Sequence, residues 1–177
     1  MIYIPAPFVK LKVNYPMRPL TGELKTFMDG LGPGNTPCCV QVSHALNLAG
    51  EKIPSTYDYA KKRGRGPSPI TVDGESNYYL LAVDELEAWL TQKYGAGLNV
   101  RALAGLPATP STNPVQRVKD MKVMQSYLSG DQGILLFRTS GAGMHTELWD
   151  GQQIVQRDMD EPTLFSQPRV LMWYSAC

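Results

Sequence analysis

The chain has two histidines, three cysteines and almost no excess of charge, and each scarcity excludes a class of protein. His44 and His145 are the only imidazoles and there is no Cys-x-x-Cys pair, so no metal-ligand spacing is present and neither metal nor cofactor is expected. Cys38 and Cys39 are adjacent and Cys177 is the last residue. Three thiols so placed make no disulfide framework, although a bridge from Cys177 to either of the other two stays open. With 17 Lys and Arg against 16 Asp and Glu, the net charge of +1 lacks the basic face of a nucleic-acid binder. The one basic cluster, Lys61-Lys-Arg-Gly-Arg65, reads as a solvated loop. No apolar run approaches membrane-spanning length, so no membrane insertion is expected. The opening residues, broken by Pro5 and Pro7, do not resemble a signal peptide, and synthesis in the cytosol is expected.

What is present is the composition of an ordinary globular protein, 43% hydrophobic and 19% charged, which predicts a single domain over residues 1–177. One stretch organises it: Gly34-Asn-Thr-Pro-Cys38-Cys39-Val-Gln-Val-Ser-His-Ala-Leu-Asn47. Here a Gly/Pro loop turns into a helix, with Thr36 suited to the N-cap and Pro37 to the first helical position. Cys38 and Cys39 then fall in the first turn, where unpaired backbone N–H groups and the positive end of the helix dipole lower a thiol's pKa and can hold an oxyanion. Val42, Ala45, Leu46 and Ala49 repeat at helical spacing, and Cys38 lies one turn before Val42 on that buried face. Cys39 is rotated about 100° away, which makes Cys38 the better nucleophile.

Along the rest of the chain, Phe8 to Asn14 fits a strand or a short helix, and Leu20 to Met28 a short helix. Ile53 to Gly74 reads as a long surface loop, and Asn77 to Val83 as a strand or the approach to a helix. The helix Asp84 to Tyr94 has capping-box spacing in Asp84 and Glu87 and a stop at Gly95. Asn113-Pro114 opens another, ended by Gly130. Gly133-Ile-Leu-Leu-Phe137 is a continuous apolar run, predicting a central strand. After a turn at Gly141 to Gly143, Met144 to Trp149 and Gln152 to Arg157 read as a hairpin about Asp150-Gly151, and Arg169 to Tyr174 as a last strand. Helices first and an antiparallel sheet afterwards make an α+β domain.

A cysteine nucleophile requires a base and a group that orients the base. His44 lies about 9 Å up the same helix from Cys38 and about 240° round it, and reads as a packing or surface histidine. His145 is the remaining candidate. With Asp150-Gly151 as a two-residue turn, Trp149 pairs with Gln152, Glu147 with Ile154 and His145 with Gln156, so Gln156 is the orienting residue on register. Asp158, next on that face, is the alternative on chemistry, because a carboxylate also stabilises the imidazolium.

Cys38-Cys-Val-Gln-Val-Ser43-His-Ala-Leu-Asn47 with Gly50 and Ile53-Pro54 resembles the nucleophile helix of type VI secretion amidase effectors, family 4. Asn77-Tyr-Tyr to Gly95 is similar to that family's middle helix. Met144-His145-Thr-Glu-Leu-Trp149-Asp-Gly151, following Gly133 to Phe137, resembles its Gly-His-x-x-Leu-Trp-Asn/Asp-Gly block. The resemblance runs patchily from about Val13 to Arg157. It departs at Gln41, where the family usually has Arg, at Met144, where Gly usually precedes the His, and at Gln156, where the third residue is usually Asp. The resemblance implies a papain-like, NlpC/P60-like fold with the cysteine helix packed on an antiparallel sheet. It implies an amidase toxin that cuts peptidoglycan stem peptides between D-glutamate and meso-diaminopimelate. It also implies delivery from the bacterial cytoplasm by a secretion apparatus into a rival's periplasm, and a cognate immunity protein. Two other readings fit the residues alone: a papain-like protease or deamidase acting on a protein, and a non-catalytic structural module of a secretion or phage particle.

Overall fold

The computed structural model of the protein describes residues 3–33, 35–56, 67–139 and 143–177. In chain order these form β1 (Tyr3–Ile4), α1 (Phe8–Val13), α2 (Gly22–Gly30), α3 (Cys38–Leu48), β2 (Ser68–Val72), β3 (Glu75–Tyr79), α4 (Val83–Tyr94) and β4 (Leu98–Asn99). There follow α5 (Val100–Leu103), α6 (Pro114–Leu128), β5 (Gly133–Arg138), β6 (Gly143–Trp149), α7 (Glu161–Ser166) and β7 (Val170–Ala176). The apolar run after Gly133 is the inner strand it was expected to be. β5 pairs antiparallel with β6 on one side and β7 on the other, and β7 carries β1, parallel, and β4, antiparallel, on its far edge.

A continuous apolar strand is required because this sheet is covered on both faces. Ile134, Leu136, Leu148 and Tyr174 pack with Leu11, Val42, Leu46 and Leu86 from α1, α3 and α4. Leu135, Phe137, Trp149 and Trp173 pack with Met124, Leu128 and Phe165 from α6 and α7. The helix starting at Asn113-Pro114 forms as expected. The Asn113 side chain accepts from the Val115 and Gln116 N–H groups, and Gly130 with φ +84° ends the turn beyond Leu128.

Three local expectations change and one open alternative is decided. Phe8 to Val13, open between strand and short helix, is helical. The end of the long stretch expected to be loop instead forms β2 and the turn of a hairpin with β3 about Asp73-Gly74, both with positive φ (50° and 80°), the geometry of a type I′ turn that favours Gly at its second position. The basic cluster 61–65 and the turn residues 141–142 lie outside the described residues. At Asp150-Gly151, where a hairpin was expected, the Asp150 carboxylate instead accepts from the Gln152 and Gln153 N–H groups, and Trp149 bridges to Ile154. That local side-chain capping competes with a tight turn and shifts the register by two residues. Asp84 lies inside the first turn of its helix, whose N-cap is Ala82, and its carboxylate accepts the N–H of Gly143 at 2.8 Å and pairs with Arg138 at 3.2 Å.

That last contact places the start of β6 against α4 with no room for a side chain. A Cβ on Gly143 would stand 2.4 Å from the Val83 Cβ. Gly143→Ala is therefore expected to cost about 1–3 kcal/mol of stability. Urea unfolding of Gly143→Ala, Val83→Ala and the double variant checks this: the double variant should lose less than the sum of the two.

Candidate active site

Helix α3 carries the first half of the site. It is buried along its whole length from Cys38 to Asn47, not on one face as its apolar spacing predicts. Each polar side chain on it has a partner: Gln41 donates to the Pro16 carbonyl at 2.7 Å, and His44 Nδ1 meets the Tyr79 hydroxyl at 2.8 Å. Ser43 accepts from the Leu80 N–H, and Asn47 bridges the Tyr78 carbonyl and the Ile53 N–H. His44 is thus a packing histidine. The helix opens with the Pro37 carbonyl accepting from the Gln41 N–H, so Pro37 is the cap. The Thr36 hydroxyl, expected to cap, lies 3.5 Å from Cys38 Sγ instead.

Strand β6 carries the second half, and α3 packs against it. Its pairing with β5 slips between Phe137 and Arg138, leaving Met144 as a bulge immediately before His145. A bulge re-aims the next side chain, and here that side chain is the imidazole. The glycine that the family resemblance seeks next to the histidine is supplied one residue earlier by Gly143. His145 stands near enough to Cys38 for each to shift the other's pKa, and its Nε2 lies 2.8 Å from Glu147 Oε1. Glu147 is fully buried, takes the Tyr15 hydroxyl on Oε2 at 2.5 Å and the Arg18 guanidinium on Oε1 at 3.1 Å.

Neither Gln156 nor Asp158 reaches His145 in the way the expected hairpin placed them. Gln156 Oε1 accepts from the Arg18 backbone N–H at 2.9 Å and from Gln41 Nε2 at 3.2 Å, and its amide donates to Asp158 at 2.6 Å. For Gln156 the cause is the shifted register after Trp149; Asp158 is instead bound by the Gln156 amide. Gln41 and Gln156, two of the departures from the family pattern, are therefore in direct contact. Glu147, Tyr15 and Arg18 were missed in the sequence. For Glu147 a signal was available, since residues two apart on a strand share a face.

The site is electrostatically coupled. The Cys38 thiol is held well below its ordinary pKa, first by a hydrogen bond from Cys39, against burial, and then by His145 and Thr36. Cys39 is correspondingly pushed well up by that bond and by burial. Burial alone would lower His145; its bonds to Cys38 and Glu147 overcome that and raise it to about 9. The pair is thus poised as thiolate and imidazolium. Burial and the neighbouring Glu147 charge raise Tyr15, keeping it a donor. All three cysteines are free. A cleft of about 730 Å³ reaches Pro37, the residue before Cys38, and is lined also by Arg18, Lys25, Met28, Asn35 and Asp158. Among the described residues no group of three or more His, Cys, Asp or Glu side chains is placed to hold a metal ion, and no helix is long and apolar enough to cross a membrane.

A cysteine at the head of a buried helix, facing a histidine on an antiparallel strand, defines a papain-like fold of the NlpC/P60 kind. More narrowly, the model of the family described as type VI secretion system (T6SS), amidase effector protein 4 (Tae4), matches residues 35–173, and the chain belongs to that family. It is a type VI secretion effector, a peptidoglycan amidase toxin. Among solved structures it is similar to the type VI effector Tae4 from Enterobacter cloacae, at 17% identity over 100% of both chains with a TM-score of 0.62. It is also similar to the effector in the Tae4–Tai4 effector-immunity complex from Enterobacter cloacae (19% identity, 98% and 100% covered, TM-score 0.61). A third likeness is to the Tae4/Tai4 effector-immunity system from Salmonella typhimurium (16%, 98% and 100%, 0.60). At these identities the structures speak for the fold. No curated protein matches the sequence.

The bond from Cys39 has a measurable consequence. Cys39→Ala should raise the pH midpoint for iodoacetamide alkylation of Cys38, followed by peptide mass spectrometry, whereas Cys177→Ala, an exposed thiol elsewhere, should leave it in place.

Proposed function

We propose that the chain, acting as one domain over residues 1–177, hydrolyses peptidoglycan stem peptides between D-glutamate and meso-diaminopimelate, with Cys38 as nucleophile and His145 as proton carrier. The observation that carries this reading is Cys38 at the head of a buried helix packed on the strand that bears His145, with a cleft reaching the residue before Cys38. Family membership supplies the amidase activity; the pair supplies a means of performing it.

The Cys38 thiolate adds to the amide carbonyl carbon, and the carbonyl electrons move onto oxygen, where the Cys38 backbone N–H at the start of α3 receives the charge. Collapse breaks the C–N bond. The leaving amine takes the proton of the His145 imidazolium, leaving an acyl-thioester. His145 then removes a proton from water, the hydroxide oxygen bonds to the acyl carbon, and the C–S bond breaks. The products are a carboxylic acid, which releases its proton to solvent to become a carboxylate, and the restored thiolate–imidazolium pair. The chain is made in the producing bacterium's cytoplasm, acts in the rival's periplasm, and is countered by a cognate immunity protein that fills the cleft. The immunity complexes of the similar effectors support that last step.

Digestion of Gram-negative peptidoglycan, with muropeptides resolved by mass, tests the reading. Wild type should release a product bearing a new free diaminopimelate amine; Cys38→Ala should release none, and His145→Ala should lower the rate by about 10²–10⁴-fold. Unchanged muropeptides with wild type would overturn it. The pH dependence follows from the coupled pair. The thiolate–imidazolium form persists from the depressed Cys38 pKa up to about 9, where His145 loses its proton, so kcat should fall on the alkaline side near pH 9.

A further inference from the structure

The imidazole of His145 requires an orienting partner on one ring nitrogen, and the residues around it narrow the choice to one. Gln156 is neutral, and its amide is bonded to the Arg18 backbone, Gln41 and Asp158. Asp158 is bound to that amide and lines the cleft. Glu147 alone places a carboxylate oxygen on Nε2, at 2.8 Å. Its own surroundings hold it still: 0% exposed, it is gripped by the Tyr15 hydroxyl on one oxygen and shares the other between His145 and Arg18. An isolated carboxylate at such depth would be costly, and these three partners offset the cost.

We propose that Glu147 is the positioning residue of His145, fixing the ring by Nε2 and stabilising the imidazolium, and that Gln156 serves only as a neutral tie between α3 and the Arg18 segment. This rests on the reading of Cys38 and His145 as the reacting pair. The competing explanation is that Glu147 and Arg18 form a buried ion pair whose work is to anchor the Pro16–Arg18 segment. An anchor has no reason to alter how the thiol or imidazole titrates. An orienting carboxylate does, since removing its charge lowers the proton affinity of His145 and thereby weakens the thiolate.

The test compares wild type, Glu147→Gln and Gln156→Ala by pH-resolved iodoacetamide alkylation of Cys38 and by muropeptide release. Groups facing the pair from the packed elements are Tyr15, Arg18, Cys39 and Glu147, so Tyr15→Phe is included as a control for the surrounding charge field. With Glu147→Gln, the alkylation midpoint should rise by about one unit or more, the alkaline limb of kcat should move down from near 9, and kcat should fall on the order of 10²-fold with KM within about threefold. Gln156→Ala should leave the alkylation midpoint unchanged. Both pH limbs unmoved in Glu147→Gln, or the shift appearing in Gln156→Ala instead, would overturn the proposal. Alkylation requires no substrate, so a wild type that cuts no peptidoglycan while showing the midpoint shift would sink the wall-amidase reading and leave this one standing. If Glu147→Gln does not fold, wild type labelled with ¹⁵N at histidine decides. A downfield, slowly exchanging proton on His145 Nε2 that persists in Gln156→Ala supports the proposal, and its absence overturns it.

Discussion

The structure depends on how it surrounds a buried carboxylate, Glu147, beside the imidazole of His145. Burial opposes charge on the imidazole and on the nearby Cys38 thiol, so each needs polar neighbours. Cys38 has the Cys39 thiol, the Thr36 hydroxyl and the start of α3. His145 has Glu147, itself held by Tyr15 and Arg18. These hydrogen bonds tie the strand that bears His145 to the segment that follows α1.

Several features of the scaffold make sense as supports of that chain. Helix α3 is buried on all sides, and its polar positions, Gln41, Ser43, His44 and Asn47, each tie it to a different neighbour, which fixes its rotation and height. The bulge at Met144 turns His145, while Gly143 lets the strand come hard against α4, where Asp84 receives its N–H. The Pro16–Arg18 segment closes the far side, delivering the backbone carbonyl that Gln41 binds and the guanidinium that Glu147 binds.

The departures from the family pattern are connected. An arginine at position 41 and an aspartate at 156 would meet in this fold as a buried charged pair; here two amides meet instead, at 3.2 Å. A neutral pair costs less desolvation but does nothing for an imidazolium. In this chain the buried carboxylate beside the histidine stands two residues further along the same strand.

Much of the fold was legible in local chemistry. The Asn113-Pro114 helix start, the inner strand after Gly133, the cysteine helix and its end at Gly50 each depend on nearest-neighbour backbone constraints, which a sequence carries directly. So does the placing of Cys38 at the head of a helix and of His145 on a strand. The partner of His145 was not legible. It hung on register after Trp149, and register was set by the Asp150 side chain capping its own loop, while the genuine Asp-Gly hairpin lay at 73–74 in a stretch that reads as loop. Tyr15 and Arg18 lie more than a hundred residues from Glu147, and nothing local marks them. The sequence by itself determined which segments would be the main helices and the inner strand. Only the tertiary structure decided which carboxylate stands behind the imidazole, because that choice rests on contacts between distant segments and on the burial they create.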